Sequence, residues 1–175
     1  MAIEIMEIIE KSQRRSKEVC IELFRKQNAQ RTRPIDMGVF NNDEIYFGWF
    51  KSDKLVVNDS YELGRMSQLV EGYAIDINAY SIDKLTENLE ENSPEWAAEI
   101  LRLYITCVFH EMRHVWQAEI QSQQHKSDWR SAYYKEDKTS GGYENNRFEK
   151  GAYAFQRNAQ IVIDEFVKDG KLIGA

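Results

Sequence analysis

The amino-acid sequence predicts an α+β fold in which a small, mostly antiparallel sheet packs on helices. Apolar residues recur at helical spacing near both ends of the chain, over 3–28 and 145–168. The region from 38 to 80 is instead rich in β-branched and aromatic residues, which favour strands. At 175 residues the chain is long enough for one core, so we expect residues 1–175 to form a single domain.

The composition is that of a folded protein with an ordinary polar surface. Hydrophobic residues make up 42% of the chain, and the net charge of -6 argues against nucleic acid as a partner. Cys20 and Cys107 lie within apolar helical patterns and predict buried free thiols in a reducing compartment. The start lacks the features of a signal peptide, and no segment approaches the roughly 18 apolar residues of a membrane span. We therefore expect a cytoplasmic protein without a membrane partner; its oligomeric state is left open.

The first half of the chain predicts one long helix followed by short strands. Residues 3–28 carry apolar side chains on one stripe and charged side chains on the other, which predicts an amphipathic helix. The runs IYFGWF at 45–50 and KLVVN at 54–58 are separated by a short turn and predict a hairpin. From residue 73 to 79 apolar residues alternate with period two, which predicts a further strand.

The second half predicts mainly helices. A short acidic helix is expected over 81–92, and Ser93-Pro94-Glu95 has the features of a helix start. The helix that follows, over 94–123, is apolar on nearly every side in its middle and should be buried. The polar residues 125–142 end in two glycines and predict a long connection, after which the last helix spans 145–168.

The stretch CVFHEMRHVWQ at 107–117 contains the pattern H-E-x-x-H at His110, Glu111 and His114. Helix positions four apart lie on nearly the same side, about 6 Å apart along the axis, so both imidazoles can reach one ion. A catalytic zinc site needs three protein ligands and an open position. Alternatively, the two histidines are core residues bonded to their neighbours. Because imidazoles in a buried helix are costly without a partner, we predict a metal site.

The third ligand must come from elsewhere in the chain. A longer pattern with a further histidine six positions after His114 fails, because Ile120 stands there. His125 would lie about 16 Å farther along the axis if the helix continues, and we interpret it as a solvated residue. Glu149, within RFEKGAYAFQ on the last predicted helix, is the better candidate, and Glu144 is the reserve. The alternative for Glu149 is an exposed helix glutamate.

The H-E-x-x-H helix, followed by an E-x-x-A pattern at Glu149 and Ala152 on the next helix, resembles the gluzincin branch of the zincin metallopeptidases. The resemblance covers about residues 45–165. It implies that Glu149 is the third zinc ligand and that Ala152 lets the two helices pack closely. An aspartate often stands four positions after the third ligand in that family. Here Tyr153 occupies that position, which leaves the hydrogen-bond partner of a ligand histidine unassigned.

The sequence therefore predicts a zinc-dependent peptidase acting on a peptide or protein substrate. His110, His114 and Glu149 hold Zn²⁺, and Glu111 takes a proton from the zinc-bound water that attacks the peptide bond. An extended substrate could pair with an exposed strand such as Lys54–Asn58. One alternative is a non-catalytic zinc-binding regulatory or interaction module on the same scaffold. Another is a helical interaction protein that holds no metal.

A zincin often uses a phenol or an imidazole to stabilise the developing oxyanion. Four tyrosines lie around the predicted connection and the last helix, and the sequence does not choose among them: Tyr133, Tyr134, Tyr143 and Tyr153.

Overall fold

The computed structural model describes residues 3–30, 45–48, 64–68, 73–77, 79–125 and 128–173. The α helices are α1 (Ile3–Gln30), α2 (Ala79–Leu85), α3 (Pro94–His125), α4 (Trp129–Ser140), α5 (Arg147–Gln156) and α6 (Ala159–Phe166), with a 3-10 helix at Tyr143–Asn145. The strands are β1 (Ile45–Gly48), β2 (Gly64–Gln68), β3 (Tyr73–Ile77), β4 (Val167–Lys168) and β5 (Lys171–Leu172).

The chain is mostly helical, and the predicted α+β class is wrong. Among the described residues, every buried apolar side chain lies on a helix except those of Tyr73, Ile75 and Ile77 on β3. The larger sheet has the order β1-β3-β2, with β1 parallel and β2 antiparallel to β3. Its strands are only four or five residues long. Because helices supply nearly all of the described core, the sheet is a small addition to a helical fold.

The region predicted as sheet, 38–80, contains the three longer strands. The strand predicted from residue 73 is present as β3, and its neighbour β1 pairs with it from Ile45 opposite Tyr73. The predicted hairpin partner at 54–58 lies outside the described residues, as does the substrate-binding edge expected there. β2 and β3 lie against α3, so the sheet touches the helix that carries the H-E-x-x-H motif.

The predicted connection over 125–142 is wrong, because α4 occupies most of it. The glycine pair that indicated a loop instead ends this helix. Gly141 has a left-handed backbone, with φ of 94°, and the Gly142 N–H donates to the Asp137 carbonyl at 3.0 Å. Glycine adopts this conformation without the steric cost that other residues meet, so it is a common helix terminator.

The helix predicted over 145–168 is interrupted and ends early. Both the backbone N–H and the side-chain amide of Asn158 donate to the Phe155 carbonyl, at 3.0 and 2.9 Å. Such local bonding of an asparagine competes with the helical pattern, and it separates α5 from α6. After Phe166 the chain turns through Asp169 and Gly170, both with positive φ, and pairs β4 with β5.

Helix α3 forms the centre of the protein. It begins where predicted, because the Ser93 hydroxyl accepts a hydrogen bond from the Trp96 N–H at 3.1 Å. It packs most extensively against α5 and α1, and also contacts α6 and the sheet. The Phe155 ring of α5 stacks on Phe24 of α1 and Phe109 of α3, with centroid distances of 5.2 and 5.9 Å. None of the described helices is long and apolar enough to cross a bilayer.

The start of α5 is held by Asn146, whose side chain is completely buried. Its amide oxygen accepts a hydrogen bond from the Phe148 N–H at 2.9 Å, and its amide nitrogen donates to the Tyr133 carbonyl at 3.2 Å. The first bond caps the helix, and the second ties it to α4. One side chain therefore sets where α5 begins relative to its neighbour.

Replacing Asn146 by alanine should lower the free energy of unfolding by about 1–2 kcal/mol, because the cap is lost and the half-buried Tyr133 carbonyl loses a donor. The matched control is Asn158→Ala, whose asparagine precedes α6 without capping it through its side chain. We expect the control to cost only about 0.5 kcal/mol. Urea unfolding of both variants measures the difference, and equal losses would contradict the special role of Asn146.

Candidate metal centre

The H-E-x-x-H motif forms a buried group that could hold a metal ion. His110, Glu111 and His114 are 9%, 5% and 4% exposed, and their ligand atoms all lie within 4.8 Å of one another. The regular helix through these positions brings the two imidazoles together, with ring centroids 4.9 Å apart. The three residues that the motif singled out are thus together in space.

Glu149 approaches both histidines from the first turn of α5. Its Oε1 atom lies 2.9 Å from Nε2 of His110 and 3.2 Å from Nε2 of His114. Glu149 is buried, and Ala152, one turn later on the same helix, is completely buried. The structure therefore brings the candidate third ligand to the same atoms of the two histidines that could bind a metal.

The other nitrogen of each imidazole meets a glutamine side chain. Nδ1 of His110 lies 2.8 Å from Oε1 of Gln156, and Nδ1 of His114 lies 2.8 Å from Oε1 of Gln117. An amide oxygen only accepts hydrogen bonds, so with the two amides placed in this way each Nδ1 carries the hydrogen. In a neutral imidazole the lone pair is then on Nε2, which faces Glu149. Metal-ligating histidines are held in the same way, by a hydrogen bond from the nitrogen that does not bind the metal.

The arrangement requires positive charge between its members. Two imidazole lone pairs and a carboxylate oxygen would otherwise face one another at hydrogen-bond distance. Either protons on the imidazoles or a metal cation removes that repulsion. Donor atoms bound to one zinc ion at about 2.0–2.2 Å in a tetrahedral site lie about 3.3–3.6 Å from one another. The observed separations of 2.9 and 3.2 Å from Glu149 are shorter than this, so a bound zinc ion would move Glu149 and His110 apart by about 0.5 Å.

Helix α4 supplies the aromatic surroundings of Glu149 and His114. The Tyr133 hydroxyl donates a hydrogen bond to Oε2 of Glu149, the oxygen that does not face the histidines. The Trp129 ring lies beside His114, with a centroid distance of 5.4 Å, and Tyr133 packs against Trp129. Both oxygens of Glu149 are therefore held, which restricts the carboxylate to one orientation.

The electrostatics agree with this pairing. Burial by itself raises the pKa of Glu149, but hydrogen bonds from His110, His114 and Tyr133 and the charge of His114 outweigh it and hold the pKa well below its usual range. Burial by itself lowers the pKa of His114. The hydrogen bond to Glu149 and the negative charges of Glu111 and Glu149 reverse this, so the pKa of His114 is raised. The site therefore favours an ionised carboxylate beside a cation.

The reserve ligands lie elsewhere. Helix α3 does not break after the motif but continues to His125, its last residue, about 16 Å along the axis from His114. Glu144 is exposed on the 3-10 helix. Neither placement brings the residue to the histidine pair.

The four tyrosines considered for an oxyanion occupy different places. Tyr133 bonds to Glu149, and Tyr134 is 54% exposed with its ring edge against Tyr133. The hydroxyls of Tyr143 and Tyr153 are 3.0 Å apart, and the Tyr153 ring packs edge-on against His110 at 4.7 Å. The Tyr143–Tyr153 pair therefore borders the group through His110 and is half exposed.

Sequence reasoning missed Gln117 and Gln156, although each left a signal. Gln117 lies three residues after His114, so it shares a helix face with that histidine inside an otherwise apolar stretch. Gln156 lies seven residues after Glu149, two helical turns along the same face. Polar residues in register with a proposed ligand are candidates for holding it. The role of Tyr133 left no such signal, because its helix was predicted as a connection.

Comparisons of the chain with protein-family models, with curated proteins and with solved structures find no match. The part of the gluzincin resemblance that the structure supports is the buried H-E-x-x-H group, which could bind a metal. Membership of the zincins stays a prediction, as do the roles of the individual residues.

The stability of the metal-free protein should depend on the Glu149 carboxylate in a defined pH range. The lowered pKa of Glu149 contributes stability above its ordinary value of 4.5, and this is lost as the pH falls through the lowered pKa. The raised pKa of His114 contributes stability below its ordinary value of 6.5, and this is lost as the pH rises through the raised pKa. Both contributions are complete between these two values.

We therefore expect Glu149→Gln to lower the free energy of unfolding by about 2 kcal/mol between these two pH values, and by less on either side. Urea unfolding in the presence of a chelator, repeated across the pH range, measures the profile. Glu144→Gln is the matched control and should leave the profile unchanged, because Glu144 is exposed. A loss that is the same at every pH would show that the carboxylate charge is not what stabilises the site.

Proposed function

We propose that this protein is a zinc-dependent peptidase in which His110, His114 and Glu149 hold the metal and Glu111 is the general base. One observation carries the proposal. Nε2 of each histidine faces the same oxygen of Glu149, while each Nδ1 is hydrogen-bonded to a glutamine side chain. This combination supplies three ligands of the types that zinc prefers, each restricted in orientation.

The donor set suits zinc. Two neutral imidazoles and one carboxylate form a common ligand set of catalytic zinc sites, and they leave a position for water or substrate. When bound, zinc supplies Lewis acidity that polarises the scissile carbonyl and makes water a better nucleophile at neutral pH.

Glu111 has a role that the ligand set does not need. It is buried beside the two histidines, and the proposed ligand set of His110, His114 and Glu149 does not include it. Its carboxylate would accept a proton from the attacking water as the new carbon–oxygen bond forms. It would then return that proton to the amine nitrogen as the peptide carbon–nitrogen bond breaks. The products are a carboxylate and an amine.

Other residues complete the proposed site. Tyr133 holds the second oxygen of Glu149, so its hydroxyl is engaged in orienting a ligand. The Tyr143–Tyr153 pair beside His110 is the better placed source of a phenol that could donate to the oxyanion. A peptide substrate is favoured because strand β2 lies beside α3 and, in the described part of the sheet, pairs on one side only.

A non-catalytic zinc-binding module is the second candidate. The specific observation in its favour is that Gln117, Gln156 and Tyr133 hold the two histidines and Glu149 through hydrogen bonds that do not involve Glu111. Such a site would hold zinc without Glu111. The two candidates differ in what Glu111 does, and the experiments below separate them.

Protein purified without chelator should contain about one zinc ion per chain by elemental analysis. Alanine at His110, His114 or Glu149 should weaken zinc binding by more than about 100-fold, since loss of a ligand should cost more than loss of a hydrogen-bond partner. Glu144→Ala is the control and should bind zinc like the wild type. If all three ligand variants retained zinc, the site would be wrong. If His125→Ala lost it, the third ligand would be wrong.

Glu111→Gln should retain zinc and the fold but lose peptidase activity by about 10²- to 10⁴-fold, because the amide keeps the shape and cannot accept the proton. Digestion of an unfolded-protein mixture, with chelator-treated protein as the blank, measures the activity. Equal cleavage by wild type and variant would exclude Glu111 as the base. Zinc retention with no cleavage by either protein would favour the non-catalytic module.

A further inference from the structure

Gln117 connects the H-E-x-x-H helix to the backbone of α5. It is buried, and its Nε2 atom donates a hydrogen bond to the Phe148 carbonyl at 2.8 Å. Its Oε1 atom lies 2.8 Å from Nδ1 of His114. One side chain of α3 thus contacts both a motif histidine and the residue immediately before Glu149.

The hydrogen bond from Gln117 to Phe148 determines which ring nitrogen of His114 carries a hydrogen. A backbone carbonyl accepts and never donates, so the nitrogen of the Gln117 amide must face it. The oxygen of the same amide must then face His114, which requires a hydrogen on Nδ1. Nε2 is left to face Glu149. If the amide were reversed, its oxygen would face the Phe148 carbonyl oxygen, and neither atom could donate. Its nitrogen would face Nδ1 of His114, which would then have to give up its hydrogen.

Gly151 provides the space for this contact. A Cβ atom at position 151 would lie 3.1 Å from Nε2 of Gln117, which is closer than an unstrained contact. Gly151 is within α5, where glycine is otherwise unfavourable compared with alanine. The close approach gives a physical reason for glycine at this position.

His110 is held differently. Its Nδ1 partner, Gln156, is itself a residue of α5, so this histidine contacts the ligand helix directly. Both histidines face Glu149 of α5 through Nε2, but the Nδ1 side of His114 is linked to that helix through Gln117. The Nδ1 contacts of the two histidines can therefore be compared to test whether only the one through Gln117 depends on Gly151.

We propose that Gln117 is a positioning residue that determines which nitrogen of His114 is available to a metal. Because Gln117 also bonds to α5, this choice depends on how α5 packs against α3. Gly151 is required because it leaves space for the Gln117 side chain. The consequence for metal affinity rests on the proposed function. Because Phe148 precedes Glu149, the same segment of backbone places the carboxylate and, through Gln117, the imidazole. A displacement of α5 would move both ligands together.

The first test needs no metal. In ¹H–¹⁵N spectra of the metal-free protein, the His114 Nδ1–H should be a distinct, slowly exchanging signal whether or not Nε2 is also protonated. Gln117→Met should abolish it, while Gln156→Met should leave it and affect His110 instead. Gln160→Met, an exposed glutamine of α6, controls for the substitution itself. Survival of the His114 signal in Gln117→Met would overturn the proposal.

The second test uses zinc alone as the probe, with affinity measured against a competing chelator. Gln117→Met should weaken binding by about 10- to 100-fold, the usual effect of losing the partner of a ligand. Gly151→Ala should weaken zinc binding when Gln117 is present and have no effect when Gln117 is replaced by alanine. When Gly151→Ala is combined with Gln156→Met, its effect on zinc binding should be as large as in the wild type. Equal effects of Gly151→Ala in all backgrounds would overturn the coupling.

The two tests separate this inference from the proposed function. If the wild type binds no zinc, the proposed function fails, while the Nδ1–H signals still decide whether Gln117 orients His114. If Gln117→Met does not fold, Gln117→Glu replaces it, because a carboxylate accepts from Nδ1–H but cannot donate to Phe148. The His114 signal should then remain and the effect of Gly151→Ala should shrink. An undiminished effect would contradict the role of the Phe148 bond.

Discussion

Three electron-rich atoms, Nε2 of His110, Nε2 of His114 and Oε1 of Glu149, meet inside the protein, and either protons or a metal ion must offset their repulsion. That requirement constrains the rest of the structure, because the atoms come from two helices, α3 and α5, that must dock in one relative position. The aromatic contacts of Phe155 and the cap at Asn146 fix where α5 lies and begins. The packing of the helical core thus sets the positions of His110, His114 and Glu149.

The hydrogen-bond partners of the two Nδ1 atoms are neutral amides, those of Gln156 and Gln117. The negative charge at the group therefore comes from two carboxylates, those of Glu111 and Glu149. A divalent cation held by two neutral imidazoles would balance the charge of two carboxylates and make the group neutral overall. Charge balance of this kind reduces the cost of placing ions in a buried site. It also explains why the metal-free state favours a proton on His114, whose pKa is raised by the same carboxylates.

Much of the local structure follows from the sequence. The Ser93 cap and the buried middle of α3 were predictable because capping and helical periodicity depend on residues only a few positions apart. The fold class was not. The runs between 38 and 80 suggested a dominant sheet, yet their described strands are short, and the polar segment after α3 forms the helix α4. A polar helix that packs one aromatic face against a neighbour carries little periodic signal of its own. The Asn158 break is equally local in cause, but it depends on which way one amide turns.

The sequence by itself determined that His110, Glu111 and His114 lie together, because residues three and four apart on a helix share a face whatever the helix packs against. It also singled out Glu149 as a candidate, through its place on a later helix. Only the tertiary structure decided that Glu149 meets both imidazoles, and that Gln117 and Gln156 hold them from behind. Those contacts join segments more than 30 residues apart or depend on a helix docked against another. Their geometry is set by packing, which no local pattern of residues encodes.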